Sequence, residues 1–113
     1  MISLAALEKA AEVLRGRVIR TPLVYSPTFS HVSGAEVYLK LENLQETGSF
    51  KLRGATYKIR KLRGGIGPEG VVAASAGNHA QGVALAAKRA GFKATIVMPE
   101  SASISKQEAT RLP

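Results

Sequence analysis

The lysine at position 51 stands where a helix is predicted to begin. Residues 47–49 favour a turn, and Ser49 is a good N-cap for a helix that starts at Phe50. The helix macrodipole is positive at this end and disfavours the ammonium form of Lys51. Because only the neutral amine attacks a carbonyl, Schiff-base formation is one chemistry open to Lys51. A surface lysine is the alternative, and the local pattern alone favours it, since such helix-end effects are only about 0.3–1 kcal/mol.

A second candidate segment, residues 75–79, follows a predicted strand and precedes a predicted helix. Ligands bind at this position in open α/β sheets. Gly77 allows close approach to the backbone, and the free N–H groups of the helix can hold a carboxylate. Asn78 adds an amide that can hydrogen-bond an oxygen without ionising, although an ordinary N-cap is the other interpretation. His79 could act as a general base.

Together these segments resemble the fold-type II enzymes that depend on pyridoxal 5'-phosphate (PLP). Ser-Phe-Lys-Leu-Arg-Gly-Ala at 49–55 is similar to the lysine segment of the branch that contains threonine/serine dehydratases and serine racemases. Ser-Ala-Gly-Asn-His-Ala-Gln-Gly at 75–82 is similar to the asparagine loop of the same branch. The likeness extends from Arg20 to Arg111. It implies PLP as the cofactor and an α/β fold with the parallel, doubly wound sheet of the tryptophan synthase β-subunit type.

The resemblance also implies a reaction and roles for individual residues. The reaction converts L-threonine or L-serine to a 2-oxo acid and ammonia, a lyase step of amino-acid metabolism and of isoleucine biosynthesis. Lys51 would form the Schiff base with PLP and remove the substrate's α-proton. Phe50 would lie beside the PLP ring, and Asn78 would contact its 3′ oxygen. The resemblance does not make His79 the general base, and the residues that would hold the substrate carboxylate are Ser75, Gly77, Asn78 and His79.

Position 76 separates two activities within this branch. In the racemases a second serine stands there and acts as acid/base on the opposite face of the substrate, whereas this chain has Ala76. Alanine cannot carry a proton, so the resemblance favours elimination. A serine racemase activity is kept as the alternative.

The composition favours one small domain with its own core. Of the 113 residues, 45% are hydrophobic, and no apolar run is long enough to span a membrane. Met1 leads directly into an amphipathic pattern, so we expect no signal peptide and a cytoplasmic protein. Absence of cysteine excludes disulfides and thiolate metal sites, and two distant histidines give little support for any metal site.

The net charge of +8 raises the question of a nucleic-acid partner. The lysines and arginines are scattered, however, and their densest group, within residues 58–63, lies at a predicted helix C-terminus, where cations are favourable. We therefore expect neither a nucleic-acid nor a membrane partner. A fragment of a longer enzyme would not need to be charge-balanced, which explains the charge more simply.

Three other features have structural interpretations. The G-x-G-x-x-G at 65–70 follows a predicted helix and precedes a strand, the reverse of a dinucleotide-binding loop, so we interpret it as a surface connection. His31 has no carboxylate nearby in sequence and is interpreted as structural or solvent-exposed. Glu42 and Asn43 are expected to shape the lysine loop and not to catalyse.

The elements that must position the two segments follow from hydrophobic periodicity and capping signals. Ser3 should cap a helix that ends near Gly16, and Ser105 with Glu108 has capping-box spacing for a last helix. The lysine helix should bury a stripe made of Leu52, Ala55, Ile59 and Leu62. Strands are predicted at 23–25, 36–41, 71–74 and 93–98, with a short helix or turn at 26–33 and a long helix from the asparagine loop to about residue 90.

The resemblance is to the N-terminal part of the enzymes only. Residues 1–48 would belong with the larger domain, and residues 49–113 would begin the smaller one. In the family the glycine-rich phosphate cradle and the residue that faces the pyridine nitrogen lie further along the chain, and nothing after Met98 resembles either. A non-catalytic fragment or partner subunit is therefore a second interpretation, and a complete protein would be expected to form a homo-oligomer.

Overall fold

The computed structural model describes residues 1–111, so Leu112 and Pro113 lie outside it. It contains five α-helices and four strands, with short 3-10 helices at Glu42–Leu44 and Arg63–Gly65. In chain order the elements are α1 (Leu4–Leu14), β1 (Leu23–Tyr25), α2 (Pro27–Ser33), β2 (Tyr38–Lys40), α3 (Lys51–Leu62), β3 (Val71–Ala74), α4 (Asn78–Ala90), β4 (Ala94–Val97) and α5 (Ile104–Arg111). None of the helices in this range is long and apolar enough to cross a membrane.

The N-terminal half contains an antiparallel pair that the sequence analysis did not predict. Strands β1 and β2 pair antiparallel, with Val24 opposite Leu39. Helix α2 connects them and ends at Gly34, whose φ of 71° suits glycine because it has no Cβ. The rings of Tyr25 and Tyr38 meet edge to face on this pair, with centroids 5.5 Å apart. Periodicity located both strands but carried no information on their pairing.

The C-terminal half has the predicted α/β architecture. Strands β3 and β4 pair in parallel, with Val72 opposite Thr95, and helix α4 connects them. A parallel pair needs a crossover of this kind because a tight hairpin cannot join two strands that run in the same direction. Helix α4 ends at Gly91, which has a φ of 81° and is the predicted stop.

The core lies between α3 and α4. Leu52 is completely buried, and Ala55 and Ile59 lie beside it on the inner face of α3. From α4 the core receives Val83, Ala86 and Ala87. The predicted stripe on α3 is therefore confirmed for three residues and wrong for Leu62, whose side chain is exposed because it lies in the last turn of the helix, beyond this core.

Several predicted boundaries move by a few residues. Helix α3 begins at Lys51 and not at Phe50, which takes the cap position, and α5 begins at Ile104. The predicted capping box at Ser105 is therefore wrong. The carbonyl of Ser103 instead receives the first bonds of α5, from the N–H groups of Lys106 and Gln107. Strands β2 and β4 are shorter than predicted.

Candidate active site

The Lys51 segment is built by a turn that delivers the lysine to the start of α3. Gly48 occupies the left-handed region with a φ of 75°, which few other residues adopt without strain. The Ser49 hydroxyl oxygen then accepts a hydrogen bond from the Lys51 N–H at 3.3 Å. Ser49 thus satisfies one of the free N–H groups of α3, although it lies one residue before the cap position.

The Lys51 side chain is exposed in the described part of the chain. Its Nζ lies 5.2 Å from the centre of the Phe50 ring, within the range of a cation–π contact. Phe50 is itself 60% exposed. An aromatic face and an amine without an ion-pair partner among residues 1–111 therefore stand side by side on an open surface.

The asparagine loop is held by Ser75, at the end of β3. The Ser75 hydroxyl oxygen accepts hydrogen bonds from the N–H groups of Gly77 and Ala80, each at 3.2 Å. Gly77 occupies the cap position of α4, and Asn78 is the first helical residue. The alternative interpretation of Asn78 as the N-cap is therefore wrong, because Ser75 performs the capping. Asn78 and His79 both have exposed side chains.

The backbone of this loop faces open space. A Cβ placed on Gly77 would meet no atom within 4 Å among the described residues. The N–H groups of Asn78 and His79 have no acceptor within residues 1–111 and lie at the positive end of the α4 macrodipole. An anionic group can bind there.

Gly82 brings the two segments together. A Cβ on Gly82 would lie 3.1 Å from both the carbonyl carbon and the carbonyl oxygen of Lys51, and 3.2 Å from the Leu52 nitrogen. Gly82 is one helical turn beyond Asn78, about 5–6 Å along the α4 axis. The glycine thus lets α4 approach the backbone at Lys51, and Lys51 and Asn78 lie at the same end of the α3–α4 pair. No role for Gly82 was predicted from the sequence.

Replacing Gly82 with alanine tests this close approach. In a helix interior, glycine to alanine normally stabilises by about 1 kcal/mol. We expect Gly82→Ala to lose that gain, because its Cβ is too close to the Lys51 carbonyl and overpacking costs about 1–3 kcal/mol. Urea unfolding measures the difference.

Gly54 is the matched control, because it lies within α3 and a Cβ there would meet nothing within 4 Å. Gly54→Ala should therefore raise the free energy of unfolding by about 0.5–1 kcal/mol. An equal rise in Gly82→Ala would show that α4 does not depend on glycine to pack against Lys51.

The carboxylate of Glu42 holds the first turn of α3 through Arg53. Glu42 accepts hydrogen bonds from Arg53 Nε and Nη2, the latter at 3.1 Å, and from the Thr21 hydroxyl. The Arg53 guanidinium is the main reason that the pKa of Glu42 is lowered to about 2. Arg53 lies where the helix dipole disfavours a cation, and Glu42 offsets that penalty. This pair was not predicted, although Glu42 was expected to shape the loop.

Further hydrogen bonds join the segment at 19–21 to β2, to the lysine loop and to α3. Gln45 donates to the Ile19 carbonyl and accepts from the Ile19 N–H, both at 2.9 Å. Lys40 Nζ donates to the Thr21 carbonyl at 2.6 Å, and Arg53 donates to the Ile19 carbonyl at 3.2 Å. We call Thr21, Glu42, Gln45 and Arg53 the Glu42 network. It joins the segment at 19–21, the lysine loop and α3.

Residues 14–113 match the family of pyridoxal-phosphate dependent enzymes. The chain belongs to this family. The family assignment and the α/β fold with a parallel sheet, predicted from two short segments, are both confirmed. The site described above fits the cofactor of this family. Within residues 1–111 it offers an amine without an ion-pair partner, an adjacent aromatic face, and helix N–H groups without an acceptor beside a glycine that faces open space.

Two curated relatives are similar over almost the whole chain. An L-threonine ammonia-lyase of Thermotoga maritima is 57% identical over 111 residues, which are 98% of this chain and 28% of the relative. A catabolic L-threonine dehydratase of Staphylococcus aureus is 52% identical over 112 residues, 98% of this chain and 32% of the relative. The chain thus spans about a third of the length of these relatives.

Solved structures show the same fold. Serine racemase from Dictyostelium discoideum superposes with a TM-score of 0.89 at 36% identity, over 97% of this chain and 36% of that one. A threonine deaminase from T.th. gives a TM-score of 0.81 at 44% identity, over 97% of this chain and 34% of that one. The structural neighbours of this PLP-family chain thus include both a serine racemase and a threonine deaminase.

Proposed function

We propose that this chain is part of a PLP-dependent ammonia-lyase that converts L-threonine or L-serine to a 2-oxo acid and ammonia. The observation that carries the proposal is the contact of Gly82 with the Lys51 backbone, which brings the lysine and the asparagine loop to one end of the α3–α4 pair. The names of relatives at 52–57% identity support this choice of reaction.

Lys51 has two tasks in this proposal. It would hold PLP through its amine, and that amine would later remove the α-proton of the substrate. PLP, when bound, withdraws electrons from the substrate α-carbon and so makes that proton removable. Phe50 would cover one side of the cofactor ring, and Asn78 would donate its amide to the ring's 3′ oxygen. The amine, the ring and the amide all belong to exposed side chains.

The asparagine loop would hold the substrate carboxylate. The free N–H groups of Asn78 and His79 suit an anion, and the hydrogen bonds that Ser75 accepts keep the loop in shape. The Ser75 hydroxyl keeps its own proton for donation, and the open space at Gly77 admits the substrate. Fixing the carboxylate fixes the direction of the α-proton relative to Lys51, which is a positioning effect.

We also propose a setting for this reaction, from the sequence and its resemblance to these enzymes. The complete protein would be a cytoplasmic homo-oligomer that acts on small amino acids, with residues 1–48 in the larger domain and the rest of this chain in the smaller one. The Glu42 network would then connect the two domains beside the active site.

The test is direct. The complete protein, supplied with PLP, should release ammonia and 2-oxobutanoate from L-threonine, and ammonia and pyruvate from L-serine. A coupled assay that reduces the oxo acid measures the release of 2-oxobutanoate and of pyruvate. Failure to release either oxo acid, in a protein that binds PLP, would contradict the proposed reaction.

Racemisation is the second candidate, favoured by the TM-score of 0.89 with a serine racemase. We expect elimination to dominate, because Ala76 cannot carry a proton to the substrate face opposite Lys51. With L-serine, pyruvate should therefore form faster than D-serine, by about tenfold or more if one acid/base group is worth about 10²–10⁴ in rate. Ala76→Ser should raise the share of D-serine, whereas D-serine forming faster than pyruvate in the unaltered enzyme would reject this assignment.

A further inference from the structure

One of the cavities of the molecule lies apart from the proposed active site. It is a groove of 430 Å³ between the segment at 16–19, helix α3 and helix α4. This volume is within the usual range for small-molecule sites, about 300–1,000 Å³. None of its lining residues belongs to the lysine segment at 49–51 or to the asparagine loop. The first residue of α4 that lines the groove is Ala86, one helical turn beyond Gly82. The groove therefore needs an explanation of its own.

Three arginines, Arg17, Arg60 and Arg89, line the groove together with one acidic residue, Glu46. Arg89 is paired with Glu46 and also donates to the Arg17 carbonyl at 3.3 Å. Arg17 donates to the Val13 carbonyl at 2.7 Å, and neither Arg17 nor Arg60 has a carboxylate partner within the described residues. Within residues 1–111, two of the arginines around this cavity thus have no ion-pair partner.

The surroundings of Arg60 show that these charges are crowded. Burial lowers the pKa of Arg60, and the positive charges of Arg17 and Arg63 lower it further. An arginine remains charged despite such shifts, so the repulsion persists in the protein. A bound anion is the group that would relieve it.

A buried hydroxyl in the groove also lacks a partner. Thr56 is only 8% exposed, it lines the groove, and its Oγ1 makes no hydrogen bond among residues 1–111. Buried polar groups in proteins nearly always have partners, and an anion bound against Thr56 would supply one. A hydroxyl can donate a hydrogen bond to an oxyanion, and so can a guanidinium group.

We propose that this groove binds a small oxyanion with about two negative charges. Arg60 and Arg17 would bind its oxygens through their planar guanidinium groups, and Thr56 would donate its hydroxyl from the floor. The apolar part of the lining, from Val18, Ile19 and Ala86, leaves room for a carbon skeleton beyond the anionic group. A phosphoryl group and a dicarboxylate share this chemistry, and the experiment separates them.

Titration calorimetry on the complete protein, at constant ionic strength, tests the site with inorganic phosphate and with succinate as probes. We expect saturable binding of at least one probe. Arg60→Gln should weaken that binding by about tenfold or more, because it removes a charged hydrogen-bond donor. Thr56→Val, which keeps the volume and removes the hydroxyl, should weaken it about threefold to tenfold.

Arg63 provides the matched control, since it contributes charge near Arg60 but does not line the groove. Arg63→Gln should leave the affinity within about twofold. Should Arg60→Gln fail to fold, Arg60→Lys keeps the charge and should still weaken binding, because lysine lacks the planar fork. The proposal is overturned if neither probe binds, or if binding is unchanged in the folded Arg60 variant, as it would be for phosphate held in the PLP site.

Discussion

Replacing Lys51 with alanine is expected to abolish both cofactor attachment and turnover. The amine of Lys51 is exposed and has no ion-pair partner among residues 1–111, so it is free to react, and the asparagine loop lies close to its backbone. Borohydride reduction of the PLP-loaded protein should fix the cofactor on the peptide that contains Lys51. In Lys51→Ala this label should be absent, and ammonia release should fall by at least about 10³-fold, since the variant loses attachment as well as proton transfer.

The control for this experiment is another exposed lysine on the same helix. Lys58 lies two turns further along α3 and is also exposed. Lys58→Ala should keep the label and near-normal turnover. A labelled peptide containing Lys58 or Lys40 in place of Lys51 would refute the assignment of the reactive amine. Stability should hardly change in Lys51→Ala, because the Lys51 side chain is exposed and substitutions at exposed positions usually change stability little.

Both candidate segments could be predicted because local rules place them. The turn before Lys51 depends on Gly48, and the loop at 75–79 depends on the end of a strand and the start of a helix. Neither needs knowledge of distant residues. The resemblance to PLP enzymes rested on these same two segments, and the family match confirms it.

The contacts between segments could not be predicted in the same way. Gly82 contacts Lys51 across 31 positions of sequence, and nothing in the spacing of α4 marks this glycine as the point of closest approach. The pairing of Glu42 with Arg53 depends on the fold of the intervening turn. Capping at Asn78 was misjudged because Ser75, which lies outside the helix, supplies the oxygen. Capping preferences assign the cap to a polar residue next to the helix in sequence. In the folded loop the Ser75 hydroxyl is the group within hydrogen-bond distance of the Ala80 N–H.

The Glu42 network should make stability depend on pH. The pKa of Glu42 is lowered from 4.5 to about 2, mainly by the hydrogen bonds from Arg53. A carboxylate with a lowered pKa in the folded state stabilises that state fully above its unfolded pKa, near 4.5, and loses this contribution as the pH falls toward 2. Because Arg53 is about one-third exposed, we expect the contribution at pH 7 to be about 2 kcal/mol, less than the full shift would give.

Glu42→Gln isolates this contribution, because glutamine keeps the size of the side chain and lacks the charge. Urea unfolding should show the variant about 2 kcal/mol less stable than the parent at pH 7, with the difference shrinking between about pH 4.5 and pH 2. Glu12→Gln is the control, since Glu12 pairs with Arg15 on the exposed face of α1 and should change stability by less than about 0.5 kcal/mol. A Glu42→Gln deficit that stays constant from pH 7 to about pH 2.5 would mean that shape, and not charge, explains the role of Glu42. Loss of borohydride label on Lys51 in Glu42→Gln, under conditions where the variant is folded, would further show that the network positions the reactive lysine.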